Sequence, residues 1–305
     1  MSINSFSVSI NTSALILLLI IIVRNLTQRP SEGGSVTNLE EMITFTEYFT
    51  PLTVKKSVKP PKISIITSVF KGDQFIEPFL FDITRQTYFD KSELILINAN
   101  SPHNEEVVIN KYLKKHQNIK YSRLDKDPGV YAVWNIAIRS SQGQYITNAN
   151  LDDRKHPNHL EEHVKALDEN PGSDLAYADV LVTETPNEVF ETCAAPSGII
   201  RMLEYSYTNL LRQNMPHNNP VWRKSIHDRF GYFREDMLSC ADFEMWLRAA
   251  SQGSVFTKID KVLSLYFRNP EGISTREETL KQAIDEVCKI RDEYTKKEDF
   301  RNFLL

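Results

Sequence analysis

Between residues 62 and 182, short apolar runs alternate with amphipathic stretches, and this alternation restricts the fold more than any other feature of the chain. Residues 63–70 (Ile-Ser-Ile-Ile-Thr-Ser-Val-Phe), 93–98, 119–124, 144–147 and 175–182 read as strands. Residues 75–87 carry Ile76, Phe79, Leu80 and Ile83 at helical spacing, and 105–116, 130–140 and 157–169 also read as helices. Repeated strand–helix–strand units build right-handed crossovers and a mostly parallel sheet with helices on both faces. The expected class is therefore α/β. After residue 184 the alternation breaks. The clearest later helices are 241–251 and 276–294, the last with Leu280, Ala283, Val287 and Ile290 on one stripe that suits packing.

The N-terminal end differs in character. Residues 6–23 carry no charge and end in an apolar run over 14–23, with Arg24 and Arg29 behind it. That length of neutral chain is about enough to cross a bilayer, so residues 1–29 are expected to form a single-pass membrane anchor. The basic residues after it place the main domain on the cytoplasmic side. Residues 30–61 are polar and punctuated by Pro and Gly, as in a stalk. The main α/β domain is expected over 62–275 and a C-terminal helix packed on it over 276–305. With 36 basic against 40 acidic residues and a net charge of −4, the chain offers no electrostatic reason to bind nucleic acid. Cys193, Cys240 and Cys288 are too few and scattered for a disulfide framework or a zinc ribbon, and are expected as buried small hydrophobes.

In open α/β sheets, ligands bind beyond the carboxyl ends of the strands. Residues 67–70, 98–101, 125–131 and 148–153 fall there. Neither a Gly-x-Gly-x-x-Gly fingerprint nor a phosphate-binding Gly-x-x-x-x-Gly-Lys-Ser/Thr loop is present, so a diphosphate would need another partner. A divalent cation gripped by carboxylates is one solution, and Asp152 and Asp153 directly follow a strand. The bland alternative for that pair is a helix cap or a solvated turn. Asp242, at the start of the 241–251 helix, has the same bland reading. His159-Leu-Glu-Glu-His163 matches the His-x-x-Glu-His zinc-protease pattern. No third ligand with suitable spacing is evident, so the pair reads as solvated helix histidines.

Residues 62–275 resemble the family 2 glycosyltransferases, which have the GT-A fold. The opening residues 65–70, then Phe75-Ile-Glu and Arg85-Gln-Thr-Tyr88, resemble that family's first strand and helix. Residues 127–131 followed by Trp134-Asn-Ile-Ala-Ile138 resemble a stretch typical of one subgroup. Residues 150–153 (Asn-Leu-Asp-Asp) stand in the place of the metal-binding Asp-x-Asp motif, and 217–223, 230–233 and 241–248 resemble the acceptor-side half.

The resemblance implies an inverting transferase using a nucleotide-sugar, UDP-sugar by default, and a divalent Mn²⁺ or Mg²⁺. Thr67, Phe70, Asn98 and Asn150 would contact the donor, Phe70 by stacking on its base. Asp152 would bind the metal and Asp242 would be the general base. Arg248 and Arg268 are candidates for phosphate contacts, with ion pairing the equal alternative for either; His217 is a candidate for touching the diphosphate or metal, with a polar loop histidine the equal alternative. The acceptor would be a glycan, a lipid or a protein. Two departures bear on this: Asn98-Ala99 replaces an acidic pair, and Asn150 replaces the first Asp of the metal motif. They motivate the alternative of a catalytically inactive relative that binds a sugar or a partner. A nucleotidyltransferase on a related sheet ranks lower, since the glycine-rich basic loop it would need is missing.

Overall fold

Alternate side chains of two neighbouring strands, β1 (Ile63–Val69) and β2 (Ser92–Asn98), divide the core between the two faces of the sheet. Ile63, Ile65, Val69, Leu94 and Leu96 face α1 (Ile76–Thr84), α2 (Glu106–Leu113) and α4 (His159–Glu169). Ile66, Ile95 and Ile97 join the opposite cluster, with Val133, Trp134, Ala137 and Ile138 of α3 (Val130–Ser140). Strands buried on both faces read as unbroken apolar runs, which is why this half was legible.

The computed structural model describes residues 60–193 and 197–303, with side chains as far as residue 295. The expected anchor over 1–29 and nearly all of the stalk lie outside the described residues. Among the described residues no helix is long and apolar enough to cross a membrane.

β3 (Ile119–Arg123) and β4 (Tyr145–Asn148) complete a parallel quartet with β1 and β2. The other strands are β5 (Arg154–Lys155), β6 (Leu175–Thr183), β7 (Gly198–Ile200), β8 (Val221–Arg223) and β9 (Phe256–Phe267). The nine-stranded sheet runs β3-β2-β1-β4-β8-β6-β9-β5, with β7 on β6. β8 lies antiparallel between β4 and β6, so β1 to β4, β6 and β9 all point the same way. The sheet is mostly parallel in that sense. Only β5, β7 and β8 run against it.

The segment after residue 184 supplies α5 (Tyr207–Arg212), α6 (Ile226–Phe230), α7 (Ala241–Ser251) and α8 (Glu277–Phe303). α8 packs on α7 and α5, burying Ala283, Ile290 and Tyr294. Leu280, expected on that stripe, is instead exposed, because α8 meets the domain only from its second turn on. Of the three cysteines only Cys240 is buried; Cys288 is exposed and Cys193 half-buried, so packing does not account for either.

One further correction concerns the α4 histidines, while Arg248 takes the ion-paired alternative. His159 and His163 are fully buried rather than solvated. They lie on the stripe of α4 that also carries Leu160, Val164 and Leu167. Each Nδ1 meets a backbone carbonyl, of Leu263 at 3.2 Å and of His159 at 2.8 Å respectively. Arg248 is ion-paired with Glu244 at 3.0 Å and donates to the carbonyls of Phe230 and Tyr232. It therefore fastens α7 to the preceding loop and does not face a ligand.

Candidate active site

A cleft of about 500 Å³ opens at the carboxyl ends of the parallel strands. Such clefts are where open α/β sheets bind ligands. Its walls include Phe70 after β1, Tyr131 and Trp134 of α3, Asn150 and Asp152 after β4, and the 269–276 segment after β9.

The β4–β5 turn is shaped by a buried arginine. Arg154 donates through Nη1 to the carbonyls of Leu151 (2.9 Å) and Asp153 (2.6 Å), and through Nη2 to Asn187 Oδ1 (2.6 Å). A planar guanidinium can hold several acceptors in fixed directions, and here it fixes the loop that presents Asp152. β5 pairs with β9, Arg154 opposite Leu265 and Lys155 opposite Ser264. That pairing brings the turn against the end of β9. Phe267 N–H donates to Asp153 Oδ1 (3.2 Å) and Asn269 Nδ2 donates to Asp152 Oδ2 (2.9 Å).

The two aspartates therefore differ. Asp153 is buried, accepts from Asn150 Nδ2 at 3.1 Å, and is pushed up by burial and by the charge of Asp152. Asp152 keeps a carboxylate on the cleft wall. Beneath them Asp82 is raised to about 6 by burial, and its carboxylate accepts from Lys155 N–H. Among the described residues no three His, Cys, Asp or Glu side chains converge to hold a metal. The oxygen donors at the turn are one carboxylate with the amides of Asn150 and Asn269 beside it.

Asp242 opens α7. Its Oδ1 accepts from the Tyr131 hydroxyl (3.2 Å) and its Oδ2 from Asn214 Nδ2 (2.8 Å). Burial raises its pKa, while those two donors and the Phe243 amide oppose the rise. It does not itself line the cleft, but Tyr131 lines it and touches Asp242. α7 is set against the cleft by α8: Glu286 accepts from the backbone amides of Leu238 (2.7 Å) and Ser239 (3.0 Å), both cleft-lining. Tyr294 donates to Glu244 (2.7 Å) on α7.

Of the residues singled out from sequence, the cleft walls contain Phe70, Asn150, Asp152 and Asp153. Thr67 and Asn98 stand at the carboxyl ends of β1 and β2, fully buried and outside the walls. Asn98 Oδ1 accepts from Ser101 N–H (2.7 Å), while Asn98 Nδ2 and Thr67 Oγ1 have no hydrogen-bond partner among the described residues. Arg268 is exposed and paired with Glu184 (3.0 Å). His217 has φ 46° and packs edge-on against Tyr266, a cleft residue, at 4.9 Å between ring centroids. Sequence reasoning gave no role to Tyr131, Asn214, Asn269 or Arg154. Tyr131 lay inside a quoted motif; the others carry no local signal, because their partners are distant in sequence.

The family model for "Glycosyl transferase family 2" matches residues 64–233, more than half of the chain, and the chain belongs to that family. It is a glycosyltransferase. An Escherichia coli relative, UDP-Gal:alpha-D-GlcNAc-diphosphoundecaprenol beta-1,3-galactosyltransferase, is 23% identical over 233 residues, covering 74% of this chain and 81% of the relative. The structure of S. aureus TarS 1-349 in complex with UDP superposes with a TM-score of 0.60 at 18% identity, over 76% of this chain. This chain spans 65% of that TarS chain, slightly under two thirds. The mannosyltransferase PcManGT from Pyrobaculum calidifontis, in complex with GDP-Man and Mn²⁺, superposes with a TM-score of 0.57 at 15% identity over 91% of this chain and 74% of PcManGT. At these identities the two structures speak for the fold.

Proposed function

We propose that the chain transfers a sugar from a nucleotide-sugar, UDP-sugar by default, to an acceptor hydroxyl with inversion at the anomeric carbon, Asp242 being the general base. The observation that carries this is the Asp242 carboxylate, desolvated beside the cleft and held by Tyr131 and Asn214. A base must be ionised and aimed at the proton it takes. Two donors fix its direction, and burial raises its proton affinity toward working pH.

The donor side rests on Phe70 stacking against the base; Thr67 and Asn98, fully buried and outside the cleft wall, would support that pocket from behind and not touch the nucleotide. Asn150 would contact the donor diphosphate. Asp152 with the neighbouring amide oxygens is a hard-oxygen set that fits Mn²⁺ or Mg²⁺. Such an ion, when bound, neutralises charge growing on the leaving nucleoside diphosphate. The acceptor would be a glycan or a lipid-linked glycan, as the name of the E. coli relative suggests for that enzyme. The apolar run at 14–23 supports a membrane anchor, testable by whether the full chain leaves membranes in alkaline carbonate.

A second reading is favoured by Asn98 and Asn150: a relative that binds nucleotide but no longer turns over. The separating experiment is nucleotide release from UDP-, GDP-, dTDP- and CMP-sugars with the full chain in detergent. Release lost in Asp242→Asn supports the transferase. Tight donor binding without release by any donor and acceptor supports the second reading.

A further inference from the structure

We infer that Lys71 and Arg276 grip the donor's diphosphate directly, so that this cleft binds a nucleoside diphosphate even without a divalent cation. The inference rests on the nucleotide-sugar reading of the site.

Among the described residues, Lys71 and Arg276 are the only Lys or Arg side chains in the cleft wall, and they come from two separate loops. Neither forms an ion pair among the described residues. The other arginines near these strand ends are engaged: Arg154 with carbonyls and Asn187, Arg248 with Glu244, Arg268 with Glu184. An unpaired guanidinium and ammonium in one cleft suit a multiply charged phosphate ligand.

Both cations sit on backbone held in place. Lys71 has φ 49°, the left-handed region that costs a non-glycine residue energy. Its N–H donates to Ser101 Oγ (2.9 Å), and the next amide, of Gly72, to the buried Glu105 Oε1 (2.7 Å). Arg276 N–H donates to the Gly272 carbonyl (3.0 Å), and Gly272 N–H to the Asn269 carbonyl (3.1 Å). Asn269 in turn reaches Asp152 at 2.9 Å. Arg276 is thus tied by three successive hydrogen bonds to the carboxylate turn. Among the described residues, its guanidinium makes one hydrogen bond, from Nε to Thr279 Oγ1 at 3.3 Å.

The charge balance points the same way. With Asn150 in the first motif position, Asp152 is the more accessible carboxylate of the β4–β5 turn, since Asp153, though it reaches the cleft wall, is buried and already accepts from Asn150 Nδ2 (3.1 Å) and Phe267 N–H (3.2 Å). One carboxylate with neutral amides holds a divalent ion less tightly than two carboxylates. Asp127 and Glu271 also line the cleft, Asp127 capping the amide of Gly129. A diphosphate entering the cleft therefore needs direct cationic partners.

The test is calorimetric titration of the full chain in detergent with UDP, GDP, dTDP and CDP, each with EDTA and with Mn²⁺. The nucleoside monophosphate of whichever base binds is the control. In EDTA, one diphosphate should bind, and Arg276→Gln and Lys71→Gln should each weaken it by about tenfold. Monophosphate affinity should change less than about twofold, and Arg276→Lys and Lys71→Arg should recover most of the loss. Equal melting midpoints establish that the variants are folded. Diphosphate binding only with Mn²⁺, or variants that bind like the wild type in EDTA, would overturn the inference and leave the transferase reading standing. No nucleotide binding under any condition would overturn both.

Discussion

The side-chain amide of Asn269 donates to the carboxylate of Asp152 at 2.9 Å, across 117 positions of sequence. The bond joins the end of the last strand to the turn that succeeds β4. Any ligand that took this Asp152 oxygen would compete with Asn269 and so act on both segments.

Asn150→Asp would set a second carboxylate against Asp153, in place of the present 3.1 Å amide bond. Without metal the repulsion should lower the melting midpoint. With Mn²⁺ the added charge should give a larger upward shift than in the wild type, since a ligand stabilises in proportion to its affinity for the folded state. Differential scanning with EDTA and with Mn²⁺ reads both. Equal metal shifts in the two proteins would refute a metal role for this turn.

As the proposed base, Asp242 would have to be ionised, and burial raises its pKa above the ordinary aspartate value. The rate should therefore fall as pH drops through that raised pKa. Tyr131→Phe removes a donor that favours the charged form, so the acid limb of kcat/KM should move to higher pH. Asp242→Asn should cost on the order of 10²–10⁴ in kcat with donor affinity kept. A pH profile unmoved in Tyr131→Phe would separate Tyr131 from the base.

Arg154→Met would leave two carbonyls and Asn187 without their donor in a buried place. A loss of about 3 kcal/mol is expected from such unpaired acceptors. Arg154→Lys restores the charge without the fork and should recover only part of it. Urea midpoints at constant slope provide the measurement.

Stability should also fall in acid through the α4 histidines. Burial holds His163 down at about 3 and His159 well below its ordinary value. Between pH 6.5 and that lower range the unfolded chain binds protons the folded one refuses, so stability is lost as pH falls, by up to about 1.4 kcal/mol per pH unit per histidine. Asp82, raised to about 6, works in the opposite sense. The clean readout is therefore the difference between wild type and His163→Gln, whose acid slope should be shallower.

The first half of the fold was readable because its signals are local. The bounds 130–140 and 241–251 coincide with α3 and α7, and the strands of the parallel quartet lie within about one residue of their expected ends. β8 is three residues long and β9 carries the exposed Asp260 and Lys261 in its middle, so neither announces itself; non-local pairing makes them strands. The α4 histidines were misread although the signal was present. Positions 159, 160, 163, 164 and 167 form one buried stripe, and polarity was weighed above periodicity. In the site, Asp152, Asn150 and Phe70 were legible as strand-end residues. Asn269, Asn214 and Arg154 became visible only once β9, the segment before β8 and the β4–β5 turn were brought together.

The pair of backbone amides that Glu286 accepts, from Leu238 and Ser239, has a consequence for how this enzyme can be altered. The same stretch of chain that reaches Asp152 through Asn269 also braces the approach to Asp242 through Glu286. Substitutions at Asn269 and Glu286 are therefore expected to be thermodynamically coupled, their combined effect differing from the sum of the two. The family match ends at residue 233, before both of them and before Asp242. A transplant of the matched span alone would carry the carboxylate turn and leave the proposed base and its brace behind.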